Sequence, residues 1–404
     1  MPTEGAISSK ASDGRRLDLD WLRIVVFGLL IFSHVGMYYG TEPWILKASV
    51  TAPAVDVLQF LARPWRLSLL FVISGSATAF LLARAPSDFV VERSRRLLVP
   101  LAFAMLAIIP LQRYYQAVAN AGYSGGYIAF WWSYLAAARQ VCSPAKCFDV
   151  PTLSHLWFVA YLWVFTVVLW ALLRWIPGAG AALRRLTALT THRRTVLILP
   201  LLLFVCLRLV MRDRYPPSFH FVGDWYRITA FFACFCFGFF VAHERSAWQS
   251  LRQSRWLALT LWLGSFLLLA WLVATQGFDS VPGDRLHYLR HVAYGINQWS
   301  GVIALLGFAA GLQLTDSAAR RYLTEAIYPY YIVHYAAIIV IAAQLEPLGL
   351  PVGTEVVLLI AGTVGACLLA FELVRRVRWL RPLFGLRSVP SAGRANAAPG
   401  SGRA

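Results

Sequence analysis

Residues 19–39 read LDWLRIVVFGLLIFSHVGMYY, an apolar run that as a helix, at about 1.5 Å per residue, is long enough to cross the roughly 30 Å hydrocarbon core of a bilayer. With a first span at about 21–39, nine further segments share its character, at approximately 66–83, 97–117, 154–175, 195–211, 225–243, 256–275, 290–314, 322–344 and 353–374. Across the 404 residues, 59% are hydrophobic and 14% charged, with a mean hydropathy of +0.60. An average soluble protein carries about 25% charged residues, so a soluble fold is excluded. Lipid admits only helices and closed barrels, and barrel strands alternate in polarity instead of running apolar. The expected fold is therefore an all-α polytopic integral membrane protein with about ten transmembrane helices. Arg15 and Arg16 precede the first span as they would a signal peptide, but no small-residue cleavage site follows Tyr38 and Tyr39, and the span is expected to be retained.

The formal net charge of +18 comes from 34 Arg and 3 Lys against 19 Asp and Glu. A nucleic-acid surface gathers its cations on one face. Here they form short clusters between apolar runs, and no nucleic-acid partner is expected. With the N-terminus placed in the cytoplasm, 25 of the 37 Lys and Arg fall on the inner side, including Arg93, Arg95 and Arg96, then Arg184, Arg185, Arg193 and Arg194, and finally Arg375, Arg376 and Arg378. This is the positive-inside bias. It predicts a multi-pass protein of the plasma (inner) membrane with both termini cytoplasmic and the lipid bilayer as its first partner. The stretches 1–14 and 388–404 are rich in Ser, Gly, Ala and Pro, and are read as disordered cytoplasmic tails around one membrane domain over 15–387.

Of the six cysteines, Cys206, Cys234, Cys236 and Cys367 lie inside apolar runs, while Cys142 and Cys147 share one polar loop on the expected outer side. That side is oxidising, so a Cys142–Cys147 disulfide is a candidate. No cysteine pair has metal-finger spacing, and no metal site is expected. The chain has no P-loop, no Rossmann glycine pattern and no HExxH, which disfavours a nucleotide-driven pump or a metalloprotease. The absence of an evident internal repeat weakens a transporter reading.

Ionisable residues at membrane depth are costly, so each is a functional candidate. Arg23 and His34 are eleven residues apart on the first span, three turns plus about 20°, and share a face about 16 Å apart. Asp20 precedes Arg23 by three residues and is placed to pair with it. Arg23 alone reads equally as an anchor that reaches the headgroups. His34, past the midplane, is either an interhelical hydrogen-bond linker or a proton-transfer group. His334, in RYLTEAIYPYYIVHYAAIIV (321–340), reaches a similar depth. Glu325, nine residues earlier, falls on the opposite side of that helix unless Pro329 kinks it. His155 opens the fourth span at the outer interface, where it is either a site residue or part of an aromatic belt. Arg93 and Arg96, spaced i and i+3, either fix topology or bind phosphate through their forked guanidinium groups. His220, His243, His287 and His291 fall in loops or span ends and read as solvated surface.

The LDWLR start followed by ten residues and then His34 resembles the first-helix signature, Arg-x10-His, of the acyltransferase 3 family of integral-membrane acyltransferases. RPWRLSLLFVISGSATAFLL (63–82), ERSRRLLVPLAF (92–103), IIPLQRYYQ (108–116), GYSGGYIAFWWSYL (122–135), SHLWFVAYLWVF (154–165), EAIYPYYIVH (325–334) and RWLRPLFGLR (378–387) are similar to the branch typified by glucan biosynthesis protein C, the succinyltransferase of periplasmic glucans. The resemblance implies an acyl-CoA-dependent O-acyltransferase that moves an acyl group, succinyl in that branch, from cytoplasmic acyl-CoA to a hydroxyl of an extracytoplasmic glycan acceptor. It implies His34 as the essential histidine, Arg23 as its motif partner and Arg93 and Arg96 as the family's Arg-x-x-Arg pair; the chemistry of a thioester donor and a hydroxyl acceptor then makes His34 the expected general base and the two arginines the expected acyl-CoA-binding pair. Acyl-CoA is then a co-substrate, with no tightly bound cofactor. Unlike many relatives, the chain has no fused soluble acyl-carrying domain after the last span, so the acyl group is expected to pass within the membrane domain or to reach a separate partner. The alternative reading is a glycan permease or flippase that uses the intramembrane histidines as proton-relay sites.

Overall fold

The computed structural model describes residues 16–84, 87–136, 140–142, 147–149, 152–191, 194–216, 223–277 and 284–387. The expected tails, 1–14 and 388–404, and His220 lie outside the described residues. The fold is all-helical apart from one short ribbon. In chain order the helices are α1 (Leu17–Tyr39), α2 (Pro53–Gln59), α3 (Arg63–Arg84), α4 (Phe89–Ala107), α5 (Ile109–Ala121), α6 (Tyr127–Ala136), α7 (Trp157–Trp175), α8 (Ala179–Thr191), α9 (Thr195–Met211), α10 (Trp225–Val241), α11 (Arg245–Gln276), α12 (Arg285–Ala309), α13 (Ala318–Leu345), α14 (Val352–Arg376) and α15 (Leu380–Leu383). Among the described residues, eight segments are long and apolar enough to cross a membrane, and α9 and α10 are shorter apolar helices of 17 residues each. Together they match the ten apolar runs of the sequence. Large apolar side chains such as Phe32, Leu267 and Leu369 point outward, as lipid contact requires.

Two departures from the simplest reading have local causes. The third run is not one helix: α4 ends at Ala107 and α5 starts at Ile109, with Pro110 in the first turn of α5, where its missing N–H is tolerated. The connection expected as a loop from about Ala117 to Leu153 carries α6 and an antiparallel ribbon, β1 (Gln140–Cys142) and β2 (Cys147–Asp149), with Cys142 opposite Cys147 in register. The side chains of these two cysteines, and hence the expected disulfide, lie outside the described residues.

Helix packing relies on small residues where backbones approach. A Cβ on Gly75 of α3 would fall 2.0 Å from the carbonyl oxygen of Phe235, and one on Gly238 of α10 would fall 1.9 Å from that of Val72. Only glycine at both positions lets α3 and α10 cross this closely. Ser76 adds a hydroxyl hydrogen bond to the carbonyl of Gly238 at 2.8 Å. Helix α13 is the axis of the second group: it packs against α1, α5 and α14 and runs unbroken through Pro329.

The bundle has two distinct ends. At one, ion pairs gather: the buried Arg320 guanidinium bridges Asp20 and Asp316, the latter at 2.7 Å, and Glu372 takes Arg375 at 3.1 Å and Arg376 at 3.0 Å. Hydrogen bonds from Arg320 and Arg321 hold the exposed Asp316 carboxyl below the usual carboxylate range. At the other end α2 folds over the end of α1. Asp56 accepts from the Thr41 amide and hydroxyl at 2.5 and 2.7 Å, and the Gln59 amide exchanges two hydrogen bonds with Ser33, at 2.6 and 2.7 Å. Ser33 is the neighbour of His34, so this short helix fixes the backbone beside the site.

Candidate active site

Helices α1 and α13 both start at the arginine-rich end, and His34 and His334 each lie about 25 Å along them at 1.5 Å per residue, in the half of the bundle nearer α2. Equal depth becomes direct contact: His34 Nδ1 and His334 Nε2 are 3.0 Å apart. His155 joins them from the turn that opens α7, with its ring centroid 5.4 Å from that of His334 and stacked at 4.7 Å on Tyr335. His155 is buried, which removes the aromatic-belt reading of the sequence.

The backbone that delivers His155 is strained. Ser154 has φ of +45°, a left-handed conformation that a serine adopts only when its surroundings hold it there. Its hydroxyl donates to Gln112 Oε1 at 2.9 Å, and its amide donates to Thr152 Oγ1 at 3.1 Å. The fully buried Gln112 comes from α5, so three elements meet behind the histidines. The Tyr331 hydroxyl donates to the carbonyl oxygen of His155 and ties α13 to the same turn.

Hydrogen-bond partners fix the protons of the neutral rings, because a carbonyl oxygen only accepts. His334 Nδ1 lies 2.9 Å from the Tyr331 carbonyl and 3.1 Å from that of Tyr330, so it carries the proton. Its Nε2 is then an acceptor, and His34 Nδ1 must donate to it. His155 Nε2 donates to the Tyr331 carbonyl at 3.1 Å, leaving Nδ1 to face the Gln112 amide at 3.4 Å. Five of the six ring nitrogens are thus engaged. The sixth, His34 Nε2, bears a lone pair and has no hydrogen-bond partner among the described residues. On this half-buried ring it is the nitrogen with a lone pair able to accept a proton.

One residue that sequence reading passed over belongs here. Arg66, near the start of α3, is 7% exposed, and its Nε and Nη1 are buried without a hydrogen-bond partner among the described residues. Its charge is within electrostatic reach of both His34 and His334. A buried cation with unused donors is costly and asks for an anionic or carbonyl ligand. The available signal was an arginine at the first position of the 66–83 apolar run, in RPWRLSLLF, on the side where cations are sparse.

The other candidates gather at the far end. Arg93 lies within electrostatic reach of both Arg23 and Arg96, and Arg93 and Arg96 of Tyr328, whose hydroxyl donates to the Leu97 carbonyl at 3.3 Å. Asp20 faces Arg320. Glu325 pairs with Arg381 at 3.1 Å and stands apart from the histidines, since α13 continues through Pro329 without turning it toward them. A cavity of about 580 Å³ opens at this end between Arg16, Asp18, Trp248 and Arg252. His287 and His291, read as solvated surface, are both buried at the start of α12.

The profile of the family described as acyltransferase domain (acyltransferase 3) matches residues 16–374, which include every residue of the histidine cluster and Arg66. No curated protein and no solved structure matches the chain.

Proposed function

Because the chain belongs to the acyltransferase 3 family, a membrane acyltransferase family, we propose that it is an O-acyltransferase in which His34 Nε2 is the general base. The observation that carries this reading is the tautomer set by the chain of hydrogen bonds from the Tyr331 carbonyl through His334 to His34. In the reaction, an acceptor hydroxyl gives its proton to His34 Nε2 as its oxygen bonds to the thioester carbonyl carbon. The carbon–sulfur bond then breaks, and the thiolate leaves with the proton returned by His34. His334 accepts from Nδ1 throughout and supports the positive charge that His34 carries in between. Arg66 supplies donors to the oxyanion that develops on the carbonyl oxygen, in a site from which water is largely excluded.

The donor in this reading is acyl-CoA, with succinyl as the acyl group and a periplasmic-type glucan as the acceptor, following the branch that the sequence resembles. Arg93 and Arg96, with Arg23 beside them, hold the phosphates of the donor at the arginine-rich end, which faces the cytoplasm of an inner-membrane protein. The acyl chain threads about 25 Å to the histidines. The acceptor comes from the other face, where Tyr114, Tyr123 and Tyr127, partly exposed and packed around the buried Phe130, offer rings suited to stacking on sugars.

The test is a sealed proteoliposome of known orientation, with acyl-CoA supplied only at the arginine-rich face and glucan only at the other. Acylated glucan together with free CoA supports the reading. Movement of unmodified glucan across the bilayer without consumption of acyl-CoA establishes a flippase instead.

A further inference from the structure

At the same end of the bundle as the catalytic cluster, but on other helices, two histidines and an aspartate converge. His287 and His291 are one turn apart on α12, both buried, with Nε2 atoms 2.9 Å from each other. Asp213, in the turn that follows α9, reaches both: Oδ2 is 2.7 Å from His287 Nε2 and Oδ1 is 3.2 Å from His291 Nε2. The helices that carry them are locked together. A Cβ on Gly295 of α12 would fall 2.9 Å from the Val205 side chain of α9, the Trp299 indole donates to the Val196 carbonyl at 3.0 Å, and Phe204 stacks on Trp299 at 5.2 Å.

Protons alone do not satisfy this arrangement. If both Nε2 atoms are protonated toward the carboxylate, two N–H groups oppose each other at 2.9 Å. If only His287 Nε2 is protonated, the lone pair of His291 Nε2 faces a carboxylate oxygen, and its proton moves to Nδ1, a buried atom with no hydrogen-bond partner among the described residues. A cation between the three groups removes the conflict, because both Nε2 lone pairs and a carboxylate oxygen then point at positive charge. The ligand atoms of the group lie within 4.8 Å of one another. The contacts of 2.7 and 3.2 Å, to the two carboxylate oxygens, and of 2.9 Å between the imidazoles are shorter than the edge of about 3.3–3.4 Å of a tetrahedron whose centre is about 2.0–2.1 Å from each ligand, so the three side chains move apart by a few tenths of an ångström to admit the ion.

We propose that Asp213, His287 and His291 form a binding site for a first-row divalent cation of the zinc class, with a fourth position open to water beside the half-exposed Asp213. Two imidazoles and one carboxylate suit zinc among such ions. This departs from the sequence expectation of no metal, which considered cysteine spacing and did not pair two histidines with an aspartate 74 residues away. Arg208 and Arg212 lie within electrostatic reach of His291. The Arg208 guanidinium is held by stacking 3.5 Å from the Tyr294 ring centroid and by donating to the Tyr226 hydroxyl at 3.2 Å. The bound cation staples the end of α9 to α12. It takes no part in the acyl transfer proposed above.

The test uses tag-free full-length protein in detergent, stripped with a chelator, then dialysed against micromolar zinc chloride and analysed by elemental mass spectrometry. Wild type is expected to retain one zinc per chain and to melt several degrees higher with zinc than without it. His287→Asn/His291→Asn is expected to lose the zinc and the thermal response, whereas His34→Asn keeps both. Asp213→Asn, at a half-exposed position that tolerates the change, should weaken zinc affinity at least tenfold. Cobalt in place of zinc should give the visible absorption of a tetrahedral site. Wild type that retains no stoichiometric zinc, or a double histidine variant that retains as much as wild type, would overturn the proposal.

Discussion

His34 Nδ1 donates to His334 Nε2 across 3.0 Å, between residues 300 positions apart in the chain. This bond holds the lone pair of His34 on Nε2. In the proposed reaction His334 positions the ring of His34, and His334→Ala should lower kcat about 10- to 100-fold with little change in KM for acyl-CoA, in line with the loss of other ring-orienting partners. His334→Gln, whose amide oxygen accepts the same hydrogen bond, should recover part of that loss. A merely structural role would lower the melting temperature of both variants together and leave no difference in turnover between them.

Arg66 gives a contrasting pair of readouts. Replacing a buried cation that has unused donors by an apolar side chain of similar length removes a desolvation cost. Arg66→Met should therefore melt at or above the wild-type temperature, while turnover falls about 100-fold through loss of oxyanion stabilisation. Arg66→Met with wild-type turnover would remove Arg66 from the chemistry.

For Arg93 and Arg96 the expected effect is on binding. Arg93→Gln/Arg96→Gln should raise KM for acyl-CoA at least tenfold and leave KM for the acceptor near its wild-type value. The direct check is titration of purified protein with a non-hydrolysable acyl-CoA analogue. Unchanged affinity with altered membrane topology would assign the pair to topology alone.

Asp20 is expected to matter for stability. It neutralises Arg320, which is 1% exposed, and Asp20→Asn leaves that guanidinium its ion pair with Asp316, just ahead of α13. Breaking one arm of such a buried pair should cost about 1–3 kcal/mol, read as a lower melting temperature. Asn at this position should leave kcat per folded molecule nearly unchanged.

The spans were legible because hydropathy over about 20 residues is a property of a segment, independent of its neighbours. The breaks within them were less so: the division between Ala107 and Ile109 is set by Pro110, whose position in the first turn of α5 becomes visible only with the helix boundaries. His34 and His334 were each recognisable as costly, and their depths were comparable. Their contact, and the inclusion of His155 but not Glu325, depended on how α1, α5, α7 and α13 pack, and nothing in a single chain reports that. Arg66 stands at the first position of its span, where the sequence alone does not separate it from an interfacial anchor. Its burial beside the histidines comes from α3 lying against α1 and α12. His287, His291 and Asp213 were overlooked for a similar reason, because the four-residue histidine spacing gains meaning only when α9 brings a carboxylate to it.

The central claim is that His34 Nε2 takes the proton of the acceptor hydroxyl. His34→Asn tests it most directly, since an asparagine amide can still donate to His334 Nε2 while the basic nitrogen is deleted. The measurement is the initial rate of radiolabelled acyl transfer from acyl-CoA to glucan by purified protein in proteoliposomes, with melting temperature and acyl-CoA affinity recorded on the same preparation. The account predicts at least about a 100-fold loss of kcat with both controls unchanged. Turnover within a few fold of wild type in a stably folded His34→Asn protein would contradict it.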